Sequence, residues 1–589
     1  MRKSPSVDVK PQLSAALSNE HIARVFEEIA DLLELEGANP FRIRAYRNAA
    51  RSVLASEIAL AALVLAGKPL PKLRGIGDDL AEKVRVISLT GSCPLLERLK
   101  GKFPDDGTKL LQLPFIGAKR ARLLQQELGI DTLPALQRAM VDGRLARLHG
   151  FGPRLLAHLG KALQALGGTE RRHLQVDAFG QAEPLLSFIR GQKGVMGVQV
   201  AGSLRRRRDT IGDLDFVVCA QDSTEPIMPS LLNYPLIVDV MASGATRSSL
   251  RLDSGMQVDI RVVERSSFGS ALQYLTGSKA HVIALRRRAH ERGFKLNEYG
   301  VFKDTMQVAG ETEEDVYQAL GLCWIPPELR EDRGEIEAAE RNTLPALIET
   351  EDLRGDLHCH TSASDGRHSL REMALAAQRL GWEYLAITDH SQHQYAAHGL
   401  DADRLARQID EIDQLNEELD SLTLLKGCEV DILPDGTLDL PDSVLERLDL
   451  VVGAIHGYFL LSSAQQTRRI LRAMDSRFFT ILAHPSGRLL LEREAYAMDM
   501  PAVIRHARQR GCFLELNAQP RRLDLDEIHC RLAKEKGVLV SVNSDAYQLA
   551  DFAFLDQGIG QARRGWLERD DVLNTRSLKQ LRALFRQSR

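Results

Sequence analysis

Short apolar runs alternate with helical segments from about residue 349 onward, and His or Asp lies at or next to the end of most of them. The runs are EYLAITDH, LDLVVGAIH, FTILAHP, CFLELNA and VLVSVNSD. Strands that alternate with helices indicate parallel βα units. About 240 residues suit a βα barrel, in which the carboxyl ends of the strands form the active-site face. The polar residues that end these runs are therefore expected to converge.

This pattern yields a set of candidate metal ligands. They are His358, His360, Asp365, His390, Glu429, His456, His484 and Asp545. Histidine and carboxylate together suit Zn²⁺, Mn²⁺ or Fe²⁺. A lone histidine is more often a core or surface residue, but coincidence is improbable for so many ligand types at successive strand ends.

A second group of acidic residues lies within β-branched runs between about 195 and 265. The runs GVQVAGSL, DLDFVVC, LIVDVMA and MQVDIRVV have strand length. Asp213 and Asp215 alternate, so they project from the same face of a strand, and Asp259 of another strand can lie beside them. Three carboxylates suit Mg²⁺ with substrate phosphates as further ligands. The alternative is three surface aspartates on an edge strand, although apolar strands rarely carry so many unpaired acids.

A glycine-containing repeat occurs three times in the helical N-terminal part. The copies span residues 73–77, 113–117 and 148–152, and an amphipathic helix follows each. Exposed backbone N–H groups at such helix starts bind phosphates without reading bases. One copy would read as an ordinary turn, whereas three copies resemble helix-hairpin-helix motifs that grip DNA backbones. The candidate DNA contacts are Gly75, Gly77, Gly117, Gly150 and Gly152, although Phe115 replaces the first glycine of the second copy.

Charge and composition narrow the function classes. Residues 1–310 contain 44 Lys and Arg against 32 Asp and Glu, and residues 311–589 contain 33 against 48. A basic half suggests a polyanion partner and an acidic, histidine-rich half suggests metal ions, although differing surface compositions would give the same balance. The longest apolar run, 58–67, is about half a membrane span, which excludes a transmembrane protein. No secretory signal is visible, and seven cysteines without CxxC spacing predict a reduced, cytoplasmic chain.

The stretch GSLRRRRDTIGDLDFVV resembles the nucleotidyltransferase signature of X-family DNA polymerases, which include polymerase beta, and YLTGS at 274–278 matches another motif of that family. The resemblance runs from about residue 15 to 325. It implies that Asp213, Asp215 and Asp259 bind Mg²⁺ or Mn²⁺, and that Asp259 takes the proton of the primer hydroxyl. It also implies a nucleotide site formed by Gly202, Ser203, Arg206, Gly212, Tyr274 and Gly277.

The first hairpin, LRGIGDDLAEKV, is similar to a family segment whose lysine forms a Schiff base with 5′-deoxyribose phosphate. Lys83 occupies that position, and Tyr46 matches a tyrosine near the pocket. Asp79 stands where the family usually has a second lysine, so Lys83 is expected to be less activated. The alternative is a solvated helix lysine or a simple phosphate contact, and the residues leave both readings open.

The pattern DLHxHTxxSDG…TDH…E…H…AHP…SDA resembles the PHP domain, a metal-dependent phosphoesterase with a distorted (β/α)₇ barrel. Bacterial X-family polymerases often carry this domain at the C-terminus, so the chain resembles them over nearly its whole length. The last family motif is usually DAH, but Tyr547 replaces its histidine here. We therefore expect two tightly held Zn²⁺ or Mn²⁺ ions and a weak third site.

The expected fold is multidomain, α+β and α/β. The predicted parts are a helical lyase or DNA-binding domain (1–100), helix-hairpin-helix fingers (101–172), a nucleotidyltransferase palm (173–265), a thumb (266–325), a linker (326–348) and a PHP barrel (349–589). The resemblance implies gap filling in base excision repair, with a 3′→5′ exonuclease or phosphoesterase, and lyase or AP endonuclease activity in addition. Expected partners are gapped or nicked double-stranded DNA and deoxynucleoside triphosphates, with no membrane and a monomeric chain. Two alternatives remain: a DNA-binding nuclease without polymerase activity, and a polymerase whose PHP domain is structural and metal-poor.

Overall fold

The computed structural model describes residues 19–36, 38–54, 56, 60–65, 68–72, 75–100, 116, 118–130, 172–220 and 227–587, with a few short stretches between 135 and 159. Gly117 and Gly150, two of the predicted DNA contacts, lie outside the described residues. The chain divides into two compact units, 1–170 and 171–589. Across these described ranges, no helix has the length and apolarity needed to cross a bilayer.

The first unit is helical, as its amphipathic spacing predicts. The helices in its described residues include α1 (Asn19–Glu36), α2 (Pro40–Leu54), α3 (Leu60–Leu65), α4 (Asp78–Thr90), α5 (Pro94–Lys100) and α6 (Ala118–Leu128). Apolar residues of α1, α2 and α4, among them Phe26, Val53 and Val84, share one buried core. Gly75 has φ +80°, a left-handed conformation that favours glycine, and this turn leads into α4.

The second unit begins with a five-stranded mixed sheet. Its strands β2 (Val195–Val200), β4 (Asp213–Ala220), β5 (Ile237–Ser243), β6 (Arg247–Leu252) and β7 (Gln257–Glu264) lie in the order β2-β4-β7-β6-β5. β1 (His173–Leu174) pairs with β3 (Thr210–Ile211) beside it. Helices α7 (Gln175–Arg190), α8 (Gly202–Arg205) and α9 (Met228–Leu231) accompany the sheet. β4 and β7 run parallel, so their N-terminal ends lie at the same edge.

A smaller α+β part follows this sheet. It contains α10 (Phe268–Thr276), α11 (Lys279–Glu291), the antiparallel strands β8 (Lys295–Asn297), β9 (Gly300–Lys303) and β10 (Met306–Ala309), and α12 (Glu313–Ala319). The segment predicted as a linker, 326–348, contains a 3₁₀ turn and helix α13 (Glu335–Glu340). Leu329 and Ile336 enter the same core as Leu285 and Tyr317. Its many charges do not make it an exposed linker, because several of them pair with partners elsewhere in the fold, as Arg330 does with Glu313.

The last part is a parallel sheet of seven strands in sequence order, which confirms the predicted βα barrel. The strands are β11 (Gly355–Asp356), β12 (Tyr384–Ile387), β13 (Thr423–Asp431), β14 (Leu450–Ala454), β15 (Phe479–Leu482), β16 (Phe513–Asn517) and β17 (Val540–Asn543). Past the ends of β17 and β11, Ala546 bridges Cys359 and accepts the His360 N–H at 2.8 Å, which nearly closes the barrel. The helices are α14 (Leu370–Arg379), α15 (Ala402–Glu418), α16 (Asp442–Leu445), α17 (Ser463–Met474), α18 (Met500–Arg510), α19 (Glu527–Glu535), α20 (Leu555–Arg564) and α21 (Leu578–Gln587).

Candidate active sites and metal centres

Three carboxylates meet at the N-terminal edge of β4 and β7. The parallel register puts Asp215 directly opposite Asp259, and Asp213 lies two residues before Asp215 on the same face. One oxygen of each of the three lies within 4.8 Å of the others. Burial, together with the charges of Asp213 and Asp259, raises the pKa of Asp215 to about 7. Such crowding of acids is typical of a divalent cation site.

Two residues that sequence reasoning missed orient Asp259. The Ser249 hydroxyl donates a hydrogen bond to one carboxylate oxygen, and Gln257 Nε2 donates to the other at 2.9 Å. Ser249 lies on β6 and is the cross-strand partner of Asp259. The sequence of β6 is polar, so no apolar run predicts a strand there. Only the register of β6 against β7 could reveal this contact.

Steric contacts explain why the predicted nucleotide-binding stretch has glycine at position 202. Gly202 has φ +61°, and a Cβ atom at this position would lie 1.9 Å from the Asp215 carboxylate oxygen. The Ala201 N–H also donates to the Asp215 carbonyl at 2.8 Å. Gly202 therefore lets the start of α8, which carries Ser203, pass directly over the Asp215 carboxylate. Gly212 immediately precedes β4.

Arg205 and Arg206 connect this stretch to the end of α10, where Tyr274 and Gly277 lie. Arg206 donates from Nη1 to the Thr276 carbonyl at 2.7 Å and from Nε to Glu331 at 3.0 Å. Arg205 donates to the Thr276 hydroxyl at 2.8 Å and to both oxygens of Glu313. The two predicted nucleotide-binding segments are thereby joined, although no described contact links Tyr274 or Gly277 to the carboxylates.

The second cluster lies at the carboxyl ends of the barrel strands, and Glu429 of β13 is at its centre. Its Oε1 lies 2.9 Å from His484 Nε2 and 3.2 Å from His456 Nε2. Its Oε2 lies 2.8 Å from His390 Nδ1 and 3.5 Å from His358 Nε2. The histidines around Glu429 hold its pKa well below the usual range, although burial acts in the opposite direction.

The predicted ligands form three overlapping groups in which ligand atoms lie within 4.8 Å of one another. The groups are His358, His360 and Asp545; His360, Asp365 and His390; and His390, Glu429 and His456. His484 contacts Glu429 but belongs to none of these groups. Four buried atoms in the described cluster make no well-oriented hydrogen bond, although Glu429 Oε2 lies 2.8 Å from His390 Nδ1: they are His358 Nε2, His360 Nδ1, His390 Nδ1 and Glu429 Oε2. Buried nitrogen and oxygen atoms that face one another without a well-formed hydrogen bond fit bound metal ions.

A further layer of carboxylates holds the histidine rings. Glu515 accepts from His358 Nδ1 at 2.7 Å and from the His484 N–H at 2.7 Å, and it is fully buried. Asp431 contacts His456 Nδ1 at 2.7 Å. Such partners fix the ring orientation and tautomer of metal-binding histidines. Sequence reasoning did not select Glu515, although a glutamate inside the apolar run CFLELNA was a usable signal.

The predicted residues of the first unit have simpler surroundings. Lys83 Nζ lies 2.5 Å from the Asp79 carboxylate, one turn earlier on α4. Tyr46 is buried and packs edge-to-face on Phe26, with ring centroids 5.9 Å apart. Gly77 immediately precedes α4, and among the described residues no atom lies within 4 Å of a Cβ built at Gly77 or Gly152.

Known proteins resemble this chain both in parts and as a whole. Family models match residues 17–93 (helix-hairpin-helix domain), 271–331 (DNA polymerase beta thumb) and 356–519 (PHP domain). A protein of Bacillus subtilis (strain 168), named DNA polymerase/3'-5' exonuclease PolX, is 37% identical over 579 residues, which cover 97% of this chain and 100% of that relative. The chain belongs to the PolX family.

Other relatives of this PolX chain match a shorter stretch of it. A probable phosphatase of Thermoanaerobacter sp. (strain X514) is 28% identical over 231 residues, 37% of this chain and 89% of that protein. A probable phosphatase of Syntrophotalea carbinolica is 33% identical over 167 residues, 28% of this chain and 64% of that protein. The predicted fold class, with a helix-hairpin-helix N-terminal region, a thumb and a C-terminal PHP barrel, is thus confirmed, and the helix-hairpin-helix match lies within the part predicted as a lyase or DNA-binding domain.

Proposed function

We propose that this chain is a DNA polymerase that fills short gaps in double-stranded DNA, and that its PHP barrel hydrolyses phosphodiester bonds at 3′ ends. The observation that carries the polymerase half is the approach of Asp213, Asp215 and Asp259 on paired strands. Membership of the PolX family supports both activities, since the B. subtilis relative is named for them. The proposed substrates are deoxynucleoside triphosphates and gapped or nicked DNA.

In the palm, Asp213, Asp215 and Asp259 would hold Mg²⁺ or Mn²⁺. Such ions supply charge neutralisation and activation of the attacking oxygen when they are bound. Asp259 is oriented by Ser249 and Gln257 and would accept the proton of the primer 3′-hydroxyl. Ser203 and Arg206 would bind the triphosphate, and Gly202 keeps their approach to Asp215 open.

In the barrel, His358, His360, Glu429, His456, His484 and Asp545 would hold two ions, which we propose are Zn²⁺ or Mn²⁺. Glu515 and Asp431 keep two of the imidazoles in the orientation that presents the other ring nitrogen to the cluster. Two ions held close together suit phosphodiester hydrolysis. The standalone probable phosphatases that resemble this part support a hydrolytic role over a purely structural one.

We further propose that the gap filling serves base excision repair in the cytoplasm and that the chain acts as a monomer. The phosphate-binding hairpin geometry of the first unit suits a gapped duplex, because helix N–H groups bind backbone phosphates without reading sequence. All seven cysteines are free, which suits a reducing compartment. Sedimentation with and without gapped DNA would test the monomeric state.

Single-nucleotide insertion and 3′-end degradation, measured side by side, test the two assignments. Asp215→Asn should abolish insertion and spare degradation, whereas His360→Ala should do the reverse, because the two clusters are built from separate sheets. Asp239→Asn on the exposed edge strand β5 and His506→Ala on α18 are matched controls and should retain both activities. Normal insertion by Asp215→Asn would refute the polymerase site, and normal degradation by His360→Ala would refute the nuclease site.

A further inference from the structure

Arg206, the predicted triphosphate-binding arginine, shares a carboxylate with an arginine of the PHP barrel. Glu331 Oε1 accepts from Arg206 Nε at 3.0 Å and from Arg564 Nη1 at 3.1 Å. Arg564 Nη1 also donates to the backbone carbonyl of Arg206 at 3.0 Å. Arg564 is the last residue of α20, so the barrel contacts both the side chain and the backbone of the palm residue.

This contact is buried and fully charged. The side chains of Arg206, Glu331 and Arg564 are 13%, 12% and 2% exposed. Arg564 Nη2 continues to Glu527 at 2.8 Å, and Arg333 reaches the same carboxylate at 3.1 Å. Hydrogen bonds between ionised groups out of water are the strong ones, and their geometry is correspondingly well defined.

The guanidinium of Arg206 is held on two of its three nitrogens. Nε is bound by Glu331 and Nη1 by the Thr276 carbonyl, whereas Nη2 makes no hydrogen bond within the part of the chain that the structure describes. Such a side chain has lost most of its rotamer freedom while one nitrogen remains able to donate to a phosphate oxygen. A positioned donor binds a ligand more tightly because less conformational entropy is lost on binding.

We propose that Arg564 and Glu331 are positioning residues for the polymerase reaction, so that the PHP barrel completes the nucleotide site of the palm. This rests on the proposed function, in which Arg206 binds the incoming triphosphate. Arg564 fixes Glu331, Glu331 fixes Arg206 Nε, and the bond from Arg564 to the Arg206 carbonyl fixes the backbone at the end of α8. The barrel therefore contributes to nucleotide affinity without touching the nucleotide.

The same helix offers a matched control. Arg563 Nε lies 2.8 Å from Glu328 and its Nη1 lies 2.6 Å from Glu349, so Arg563 makes ion pairs next to Arg564. None of its described contacts reaches Arg206. A change at Arg563 removes interactions from the same region of the barrel surface without disturbing the nucleotide site.

Steady-state insertion of one nucleotide into a gapped duplex by the full chain tests the proposal. Arg564→Lys keeps the charge but loses the fork that reaches Glu331, Glu527 and the Arg206 carbonyl together, and Glu331→Gln loses the charge that holds both arginines. Each should raise the KM for the triphosphate about tenfold, the effect of losing one charge-assisted hydrogen bond, with kcat within about twofold. Arg563→Lys should leave KM unchanged, and 3′-end degradation should be normal in all three variants.

A double-variant cycle and melting curves complete the test. If Arg564 acts through Arg206, the combined Arg206→Lys and Arg564→Lys change should raise KM by less than the product of the single effects. If Arg564→Lys melts below the assay temperature, the KM of Glu331→Gln tests the proposal instead. This variant only replaces one carboxylate oxygen by an NH₂ group. Unchanged KM in the folded variants, or an equal rise in Arg563→Lys, would overturn the proposal. Absence of insertion by the wild-type chain would instead refute the proposed polymerase function.

Discussion

The phenol ring of Tyr547 lies stacked on the imidazole of His360, with ring centroids 4.4 Å apart and ring planes 11° from parallel. Its hydroxyl oxygen is 3.5 Å from His390 Nε2. Tyr547 thus occupies the side of the group formed by His360, Asp365 and His390, where the family resemblance implies a histidine. A phenol is protonated at neutral pH and is a poor metal ligand, unlike a neutral imidazole.

Tyr547→His should therefore add a metal ion to the barrel. We expect about two tightly held ions per wild-type chain and a third in the variant, because three protein ligands are the usual minimum for an open site. Metal content after dialysis, measured by mass spectrometry, checks this. Three ions already present in the wild type, with no gain in the variant, would contradict it.

Glu515→Gln should weaken metal binding in the barrel. The neutral amide no longer stabilises the His358 N–H, and it loses the charge that orients the ring. Loss of such an outer partner costs about 10- to 100-fold in metal affinity. Competition with a chelator measures the affinity, and Glu494→Gln, on an exposed loop of the same barrel, is the control. Equal affinities in wild type and Glu515→Gln would rule out this role.

Glu313→Gln should destabilise the second unit. Glu313 is buried and pairs with the fully buried Arg330 and with Arg205, so the variant leaves buried positive charge without its partner. We expect a loss of about 3 kcal/mol in the free energy of unfolding by urea. Glu314→Gln, exposed and adjacent, should change it little.

The effect of Glu313 should depend on pH. Burial opposes ionisation, but Arg330 and Arg205 outweigh it and lower the pKa of Glu313 to about 2. A lowered pKa in the folded state stabilises the fold fully at pH values above the pKa of the same group in the unfolded chain, near 4.5. This stabilisation shrinks as the pH falls toward 2. The free energy of unfolding should therefore differ between wild type and Glu313→Gln by a constant amount near neutral pH and by a smaller amount at about pH 4. A difference that grows on acidification would contradict this sign.

Lys83→Ala should abolish borohydride trapping on a 5′-deoxyribose phosphate end, because only an imine is reduced to a stable adduct. The Asp79 carboxylate lies 2.5 Å from Lys83 Nζ and competes with a substrate for contact with this nitrogen. Asp79→Asn should therefore increase trapping several-fold over wild type, because an exposed ion pair contributes up to about 1 kcal/mol. Lack of any adduct in wild type and Asp79→Asn would exclude lyase chemistry at this lysine.

Local periodicity was sufficient to predict much of this molecule. Strands that alternate with helices led to the barrel, since a βα repeat has few ways to bury both faces of its sheet. The same rule predicted that His456 and His484 lie on one face, because parallel strands present their carboxyl ends together. The spacing of Asp213 and Asp215 determined that they share a face, because side chains alternate along a strand.

Contacts between residues far apart in the chain were decided only by the tertiary structure. The register of β4 against β7 pairs Asp215 with Asp259, and that of β6 pairs Ser249 with Asp259. The segment 326–348 was predicted as a linker because the sequence shows its charged residues but not the distant residues with which they pair. Glu331 lies between Arg206 and Arg564, which are separated by 358 positions. No local pattern encodes such a contact, because it depends on how the palm sheet and the barrel pack together and on which buried charges then have to be neutralised.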